Sequence, residues 1–244
     1  MKRRPFDCLL MGGDIVNVKH STELKDEKAN GSLVEGDNAE NSYIHALQSL
    51  GVSVFWVPGN HDSSTAFLSA GSAMSPGNCH NRIVELRDHL LLLGVGGSGS
   101  AILESGEHVW DGFPMNNDLD LTVPYELLSS LSDDDSVILL THAPASCLPS
   151  SRQQKSLDDT PILCGSGKLT FFFHQLLRST HVPLYLHGHN HRGVGSSLVT
   201  ENDVETICLS PGTLKKHRFA RVELRKMGTY WEVFHYEICK VTDV

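Results

Sequence analysis

The sequence predicts an α/β fold of two mixed β-sheets packed face to face and flanked by helices. Three observations carry that expectation. Short apolar runs rich in β-branched and aromatic residues recur along the chain, and each stops at glycine or proline with a polar side chain beyond it. Between them lie stretches with apolar residues at helical spacing, of which Leu169, Phe172, Phe173, Leu176 and Leu177 form the clearest. Two pairs of runs are separated by only a few residues, which requires antiparallel hairpins inside an otherwise alternating strand and helix order. At 244 residues with 40% hydrophobic content, the chain suits a single domain over 1–244 with one sizeable core.

The first expected strand is Phe6-Asp7-Cys8-Leu9-Leu10-Met11, and it ends in Gly12-Gly13-Asp14. A buried strand that delivers a carboxylate at its carboxyl end is where open α/β sheets place ligands. Residues 17–40 are polar and read as a flexible surface loop. A helix is expected from about Asn38 to Gly51, with Tyr43, Ile44, Leu47 and Leu50 turned inward. The run from Val52 to Val57 is broken by Pro58-Gly59 and delivers Asn60-His61-Asp62. The runs Arg82 to Leu86 and His89 to Val95 read as a hairpin.

Gly94 to Gly99 holds four glycines but no Lys-Ser/Thr ending, so it reads as a tight turn with close backbone approach, not a phosphate cradle. Residues 101–117 show little periodicity and are expected as a long loop. A helix near Tyr125 to Leu131 and a solvated Asp133-Asp134-Asp135 turn precede the strand Val137 to Leu140, which ends in Thr141-His142-Ala143-Pro144. A polar loop then runs to about Gly167. Beyond the apolar helix, Val182 to Leu186 is a buried strand that ends in His187-Gly188-His189-Asn190-His191. A strand near Val204 to Leu209 and a hairpin of Phe219 to Leu224 with Tyr230 to Ile238 close the chain.

Charge and composition exclude several classes. Twenty basic against 29 acidic residues leave a net charge of -9, which argues against a nucleic-acid surface built on bulk charge. The six cysteines are scattered without a Cys-x-x-Cys pair, so reduced thiols in the cytoplasm are expected. No apolar run approaches the ~18 residues of a membrane span.

Four separated strands therefore end in Asp14, Asn60-His61, His142 and His189-x-His191. Mixed oxygen and imidazole donors suit a hard-to-borderline divalent cation, with Mn2+, Fe or Zn2+ all compatible. One carboxylate can bridge two cations at ~3.5–4 Å, a pair that clamps both oxygens of a phosphoryl displacement. Each motif alone is weak, but four in this order point to a metal-assisted reaction on a small phosphorylated substrate.

On Gly13-Asp14, Gly59-Asn60-His61-Asp62, Thr141-His142-Ala143 and Gly188-His189-Asn190-His191, the chain resembles the calcineurin-like metallophosphoesterase family from Phe6 to about Leu224. The resemblance implies an αββα sandwich and hydrolysis of a phosphomonoester or phosphodiester by metal-bound hydroxide. It further implies that Asp14 bridges two metals, that Asn60, His142 and His189 hold the second, and that His191 serves the first. His61 would contact the phosphate, along with Asn60, and protonate the leaving oxygen, oriented by Asp62. The glycine-rich turn after Val95 and the Ser210-Pro211-Gly212-Thr213 stretch resemble a prokaryotic-type branch related to phosphodiesterases.

One motif departs from the family pattern. An Asp-x-His strand normally precedes Gly-Asp and supplies two ligands to the first metal, and no such motif stands before Gly13-Asp14. The first strand of the fold is thus expected to be missing. Three readings follow: an N-terminally shortened form of a complete enzyme, which is favoured, an enzyme that works with one metal, or a non-catalytic binding module on the same fold. His187 is expected to pack on the opposite face of its strand. Cys164 and Cys208 read as small core fillers, and Lys215-Lys216-His217-Arg218 as a solvated turn.

Overall fold

The computed structural model of the chain describes residues 6–16, 42–49, 51–71, 75–110, 112–114, 122–153 and 160–241. The loop expected over 17–40 and the ends of the first expected helix lie outside the described residues, which place that helix (α1) at 42–48. Ile44 is buried and Leu47 half-buried, as its spacing predicts, but Tyr43 is exposed. Neighbouring helical positions point about 100° apart, so a stripe centred on Ile44 and Leu47 leaves Tyr43 at its edge.

A six-stranded mixed sheet forms the centre. It consists of β3 (Arg82–Arg87), β4 (Leu90–Val95), β7 (Ser136–Thr141), β10 (His181–His187), β11 (Gly195–Glu201) and β12 (Val204–Ser210). Their order is β11-β12-β10-β7-β4-β3. The four inner strands run parallel, and β3 and β11 close the edges antiparallel. All six residues of β7 are buried, the continuous apolar pattern of a strand covered on both faces.

One face packs against α3 (Gly167–Ser179), which buries Leu169, Phe172, Phe173, Leu176 and Leu177. The Ser166 side chain caps this helix by accepting from the Leu169 N–H at 2.9 Å. Complete burial of one such phenylalanine contributes ~1.5–3 kcal/mol. Tyr185 on β10 packs against Phe173 with ring centroids 4.9 Å apart and planes tilted by 53°, which joins the helix to the central strand.

The opposite face carries the second layer, which consists of two ribbons: β1 (Cys8–Met11) parallel to β2 (Ser53–Trp56), and β13 (Arg218–Met227) antiparallel to β14 (Tyr230–Lys240). Leu10 and Phe55 from one ribbon and Ala220, Val222 and Trp231 from the other pack on the same cluster of Leu92, Ile138, Leu140, Leu184 and Leu209.

Several short strands depart from the sequence expectation. Residues 101–117 are not a plain loop, because β5 (Ala101–Leu103) and β6 (His108–Trp110) pair there. With β8 (Arg152–Gln153) and β9 (Ile162–Leu163) they make a small separate sheet. The glycine-rich turn does approach backbone closely: a Cβ on Gly96 would come within 2.6 Å of the Pro58 carbonyl, and Gly97 N–H donates to that carbonyl at 2.8 Å. A short α2 (Ser64–Leu68) follows the Asn60 to Asp62 loop, capped by Ser63. Among the described residues, no helix is long and apolar enough to cross a membrane.

Candidate metal centre

The parallel strands bring their carboxyl ends to one rim, and backbone bonds stitch the loops there. His142 N–H donates to the Val95 carbonyl at 3.0 Å, Gly188 N–H to the His142 carbonyl at 3.0 Å, and Val57 N–H to the Met11 carbonyl at 3.1 Å. The loops after β1, β2, β7 and β10 thus meet across the two layers. Glycine is what lets them meet. At Gly13, φ is +88°, and a Cβ would lie 2.8 Å from His142 Nδ1. Asp14 and His189 hold left-handed backbone at φ 55° and 60° without being glycine. Such geometry costs about 1–2 kcal/mol per residue and is characteristic of functional sites.

Three donor atoms converge at this rim. His142 Nε2 lies 2.8 Å from Asn60 Oδ1 and 3.1 Å from His189 Nδ1, and His189 Nδ1 lies 2.9 Å from Asn60 Oδ1. Asp14 Oδ1 is 3.5 Å from His142 Nε2. On the other side of the ring, His142 Nδ1 lies 2.6 Å from the Gly12 carbonyl oxygen. A carbonyl only accepts, so Nδ1 carries the proton and the neutral ring turns a lone pair of Nε2 towards Asn60 Oδ1. Two acceptors 2.8 Å apart repel, and a single proton on His189 Nδ1 can satisfy only one of them.

A divalent cation satisfies both at once. Ligands at ~2.1 Å in octahedral cis positions stand about 3.0 Å from each other, the spacing of this triangle. Among the described residues, no three His, Cys, Asp or Glu side chains alone gather as a metal site. The set closes through the amide oxygen of Asn60, which joins two imidazoles. The donors therefore fit a cation.

Burial raises the pKa of Asp14, but the imidazoles of His142, His61 and His189 and the His61 N–H outweigh it and hold the carboxyl below its ordinary value. Burial, reinforced by His142, pushes His189 down to about 3, so its ring is neutral at physiological pH. His191 stands apart. Its Nε2 is 4.0 Å from Asp14 Oδ2, and its side chain is 52% exposed. The two oxygens of Asp14 thus face two places: Oδ1 the triangle, and Oδ2 His191.

His61 is exposed at the mouth, with its backbone N–H donating to Asp14 Oδ1 at 3.1 Å. Asp62 is fully buried. Its carboxylate accepts from Gly59 N–H at 2.7 Å and Val16 N–H at 2.9 Å, so it ties the Asn60 loop to the Asp14 loop. Burial pushes its pKa up, against those two N–H groups and with the help of neighbouring Asp14. Two further residues build the site without a sequence signal of their own. Asn190 is buried and braces the histidine loop, donating to the Ser150 and Arg152 carbonyls at 2.5 and 3.0 Å. Gly12 sets the His142 tautomer through its carbonyl alone.

His187 packs away from the donors, as its strand position predicts. Its Nδ1 donates to the Gly188 carbonyl at 3.2 Å, which leaves Nε2 to accept from Ser150 Oγ at 2.7 Å. Burial pushes its pKa down to about 4. The unfolded chain, with an ordinary value near 6.5, takes up the proton that the folded ring refuses, so stability is retained above about pH 6.5 and lost as pH falls towards 4. The full effect is about 3 kcal/mol. Urea midpoints measured between pH 7.5 and 4.5 should fall less steeply for His187→Gln than for the wild type. Parallel curves would remove His187 as a source of the acid sensitivity.

The comparisons with known proteins bear on this geometry. The sequence model of a family described as calcineurin-like phosphoesterase (Metallophos) matches residues 2–193. The crystal structure of TT1561 from Thermus thermophilus superposes with a TM-score of 0.52 at 15% identity, over 88% of this chain and 80% of that one. That likeness is one of fold. The comparison with curated proteins finds no match.

Proposed function

Since the chain belongs to the calcineurin-like phosphoesterase family, we propose that it is a metal-dependent hydrolase of small phosphomonoesters or phosphodiesters. The observation that carries this reading is the convergence of Asn60 Oδ1, His142 Nε2 and His189 Nδ1 within 2.8–3.1 Å, beside an exposed His61. Asp14, Asn60, His142 and His189 would hold one divalent cation, with Mn2+ the first to try. His191 would extend the site towards a second through Asp14 Oδ2. A bound cation would supply charge for the phosphoryl oxygens and lower the pKa of water.

The protein's own groups do the rest. Asn60 and His61 would orient the phosphate, and the His61 imidazole at the open mouth would give its proton to the departing oxygen. Asp62 would hold the loop on which both stand, through its bonds to Gly59 and Val16. Its buried carboxylate steadies the peptide before Asn60, and in that sense positions His61. The six free thiols support a reducing, cytoplasmic setting.

The test is purified protein loaded with Mn2+ and assayed on bis-p-nitrophenyl phosphate. Turnover that disappears with EDTA and returns with Mn2+ is expected. Stoichiometric metal without turnover would overturn the hydrolase reading and leave a non-catalytic binding module on this fold.

A further inference from the structure

We propose that the open cleft between Val194, Arg218 and Lys240 binds a second anionic group of the substrate, a phosphate or carboxylate some distance from the scissile phosphoester. This rests on the hydrolase reading above. The cleft has a volume of about 430 Å3, and Ile238 and Cys239 complete its lining. Arg218 and Lys240 face each other across the closing ribbon as Cα partners, which sets two cations at one end of a rigid pair of strands.

The two cations of this cleft differ from several others on the chain in lacking a carboxylate partner. Elsewhere on the chain, Arg87, Arg152, Arg178, Arg221, Arg225 and Lys226 each meet a carboxylate at 2.6–3.5 Å. Among the described residues, Arg218 and Lys240 meet none, and neither do Arg192, Lys215 and Lys216 in nearby stretches of chain or Arg82 at the start of β3. On a protein of net charge -9, two unneutralised cations lining one cleft make a local field of the opposite sign. The short turn of Leu214–Lys216 ends one residue before Arg218, which brings Lys215 and Lys216 close to the cleft along the chain.

The cleft adjoins the metal centre. A Cβ on Gly212 would lie 2.8 Å from Val194 Cγ2 and 3.5 Å from Arg218 Cδ, so the cleft wall and the cation pack around one glycine. Val194 stands three residues after His191, a span of at most about 11 Å. A ligand with its phosphoester at the donor triangle could therefore rest a second anion on Arg218 and Lys240. A planar guanidinium and a mobile ammonium together suit either phosphate or carboxylate.

Two probes separate the second anion from the first. Glucose 6-phosphate has one anionic group, and 6-phosphogluconate carries a carboxylate at the far end of a similar chain. Calorimetric titration of the Mn2+-loaded full chain is expected to show 6-phosphogluconate binding about ten-fold tighter. In Arg218→Gln/Lys240→Gln the two should bind within about two-fold of each other, and KM for bis-p-nitrophenyl phosphate should stay unchanged, since that ester has no second anion. If the double variant fails to fold, Lys240→Gln alone, at the exposed strand end, should show a smaller loss in the same direction. No preference in the wild type, or a preference that survives the substitutions, overturns the proposal. Failure of the hydrolase reading shows separately, as absent turnover of bis-p-nitrophenyl phosphate in the wild type.

Discussion

His61→Ala is expected to lower kcat on a phosphoester by roughly a hundred-fold to ten-thousand-fold, the usual contribution of a positioned general acid. Bound metal should stay at the wild-type level. The two readouts separate because His61 is exposed at the mouth, while the donor triangle is built from Asn60, His142 and His189. The hydrogen bond from His61 to Asp14 comes from its backbone N–H, and alanine keeps that bond. A substrate whose leaving group needs no proton, such as p-nitrophenolate, should lose less than an alkyl ester. Equal losses of metal and turnover would make His61 a ligand and remove the acid role.

Gly59→Ala should have the second largest effect, acting on metal affinity rather than on chemistry. A Cβ at this position would overlap the carboxylate and backbone nitrogen of Asp14 and come within 2.7 Å of His142 Cε1. Two proposed ligands would have to move together. The Gly59 N–H that Asp62 accepts would shift as well. Displacing supports of a metal site typically costs about 10–100-fold in affinity, and here two ligands are struck directly, so a loss of about 100-fold or more is expected. Calorimetric titration with Mn2+ measures it. Gly51→Ala is the control: φ there is +75°, but nothing lies within 4 Å of its Cβ. It should cost about 1 kcal/mol of stability and leave metal affinity untouched. Wild-type affinity in Gly59→Ala would mean that the loops accommodate the methyl group, and that the rim is not close-packed as described.

The strands that position the donors were legible because burial on both faces leaves a near-continuous apolar run in the sequence. That holds for Ser136–Thr141 and His181–His187. The strand Gly195–Glu201 was not legible. It lies at the sheet edge with alternate residues exposed, and most of its side chains are polar or absent. Its extended form comes from seven paired positions with β12, which no local signal announces. The three-residue strands Ala101–Leu103 and His108–Trp110 are likewise too short to show a period.

The expected site divides in the same way. Asp14, Asn60, His142 and His189 could be named because metal chemistry demands particular side chains, and such demands are written in residue types. The closeness of the donor atoms of Asn60, His142 and His189 could not be read from residue types, and the split of Asp14 between His142 and His191 was expected only through the family resemblance. Those depend on a left-handed backbone at Asp14 and His189, and on loops from two layers crossing at glycines. The tautomer of His142 depends on the Gly12 carbonyl 130 residues away, an atom every residue possesses and no sequence pattern marks.

By itself, the sequence determined the fold class, the order of the buried strands and the kinds of atom offered at their ends, because apolar patterning and ligand chemistry are properties of side chains. The tertiary structure alone decided three further things. It divided the second layer into two ribbons, set the donor atoms of Asn60, His142 and His189 within 2.8–3.1 Å of each other, and placed Arg218 and Lys240 beside Val194. Each is a matter of distance between segments far apart in the chain, fixed by the packing of two layers against each other.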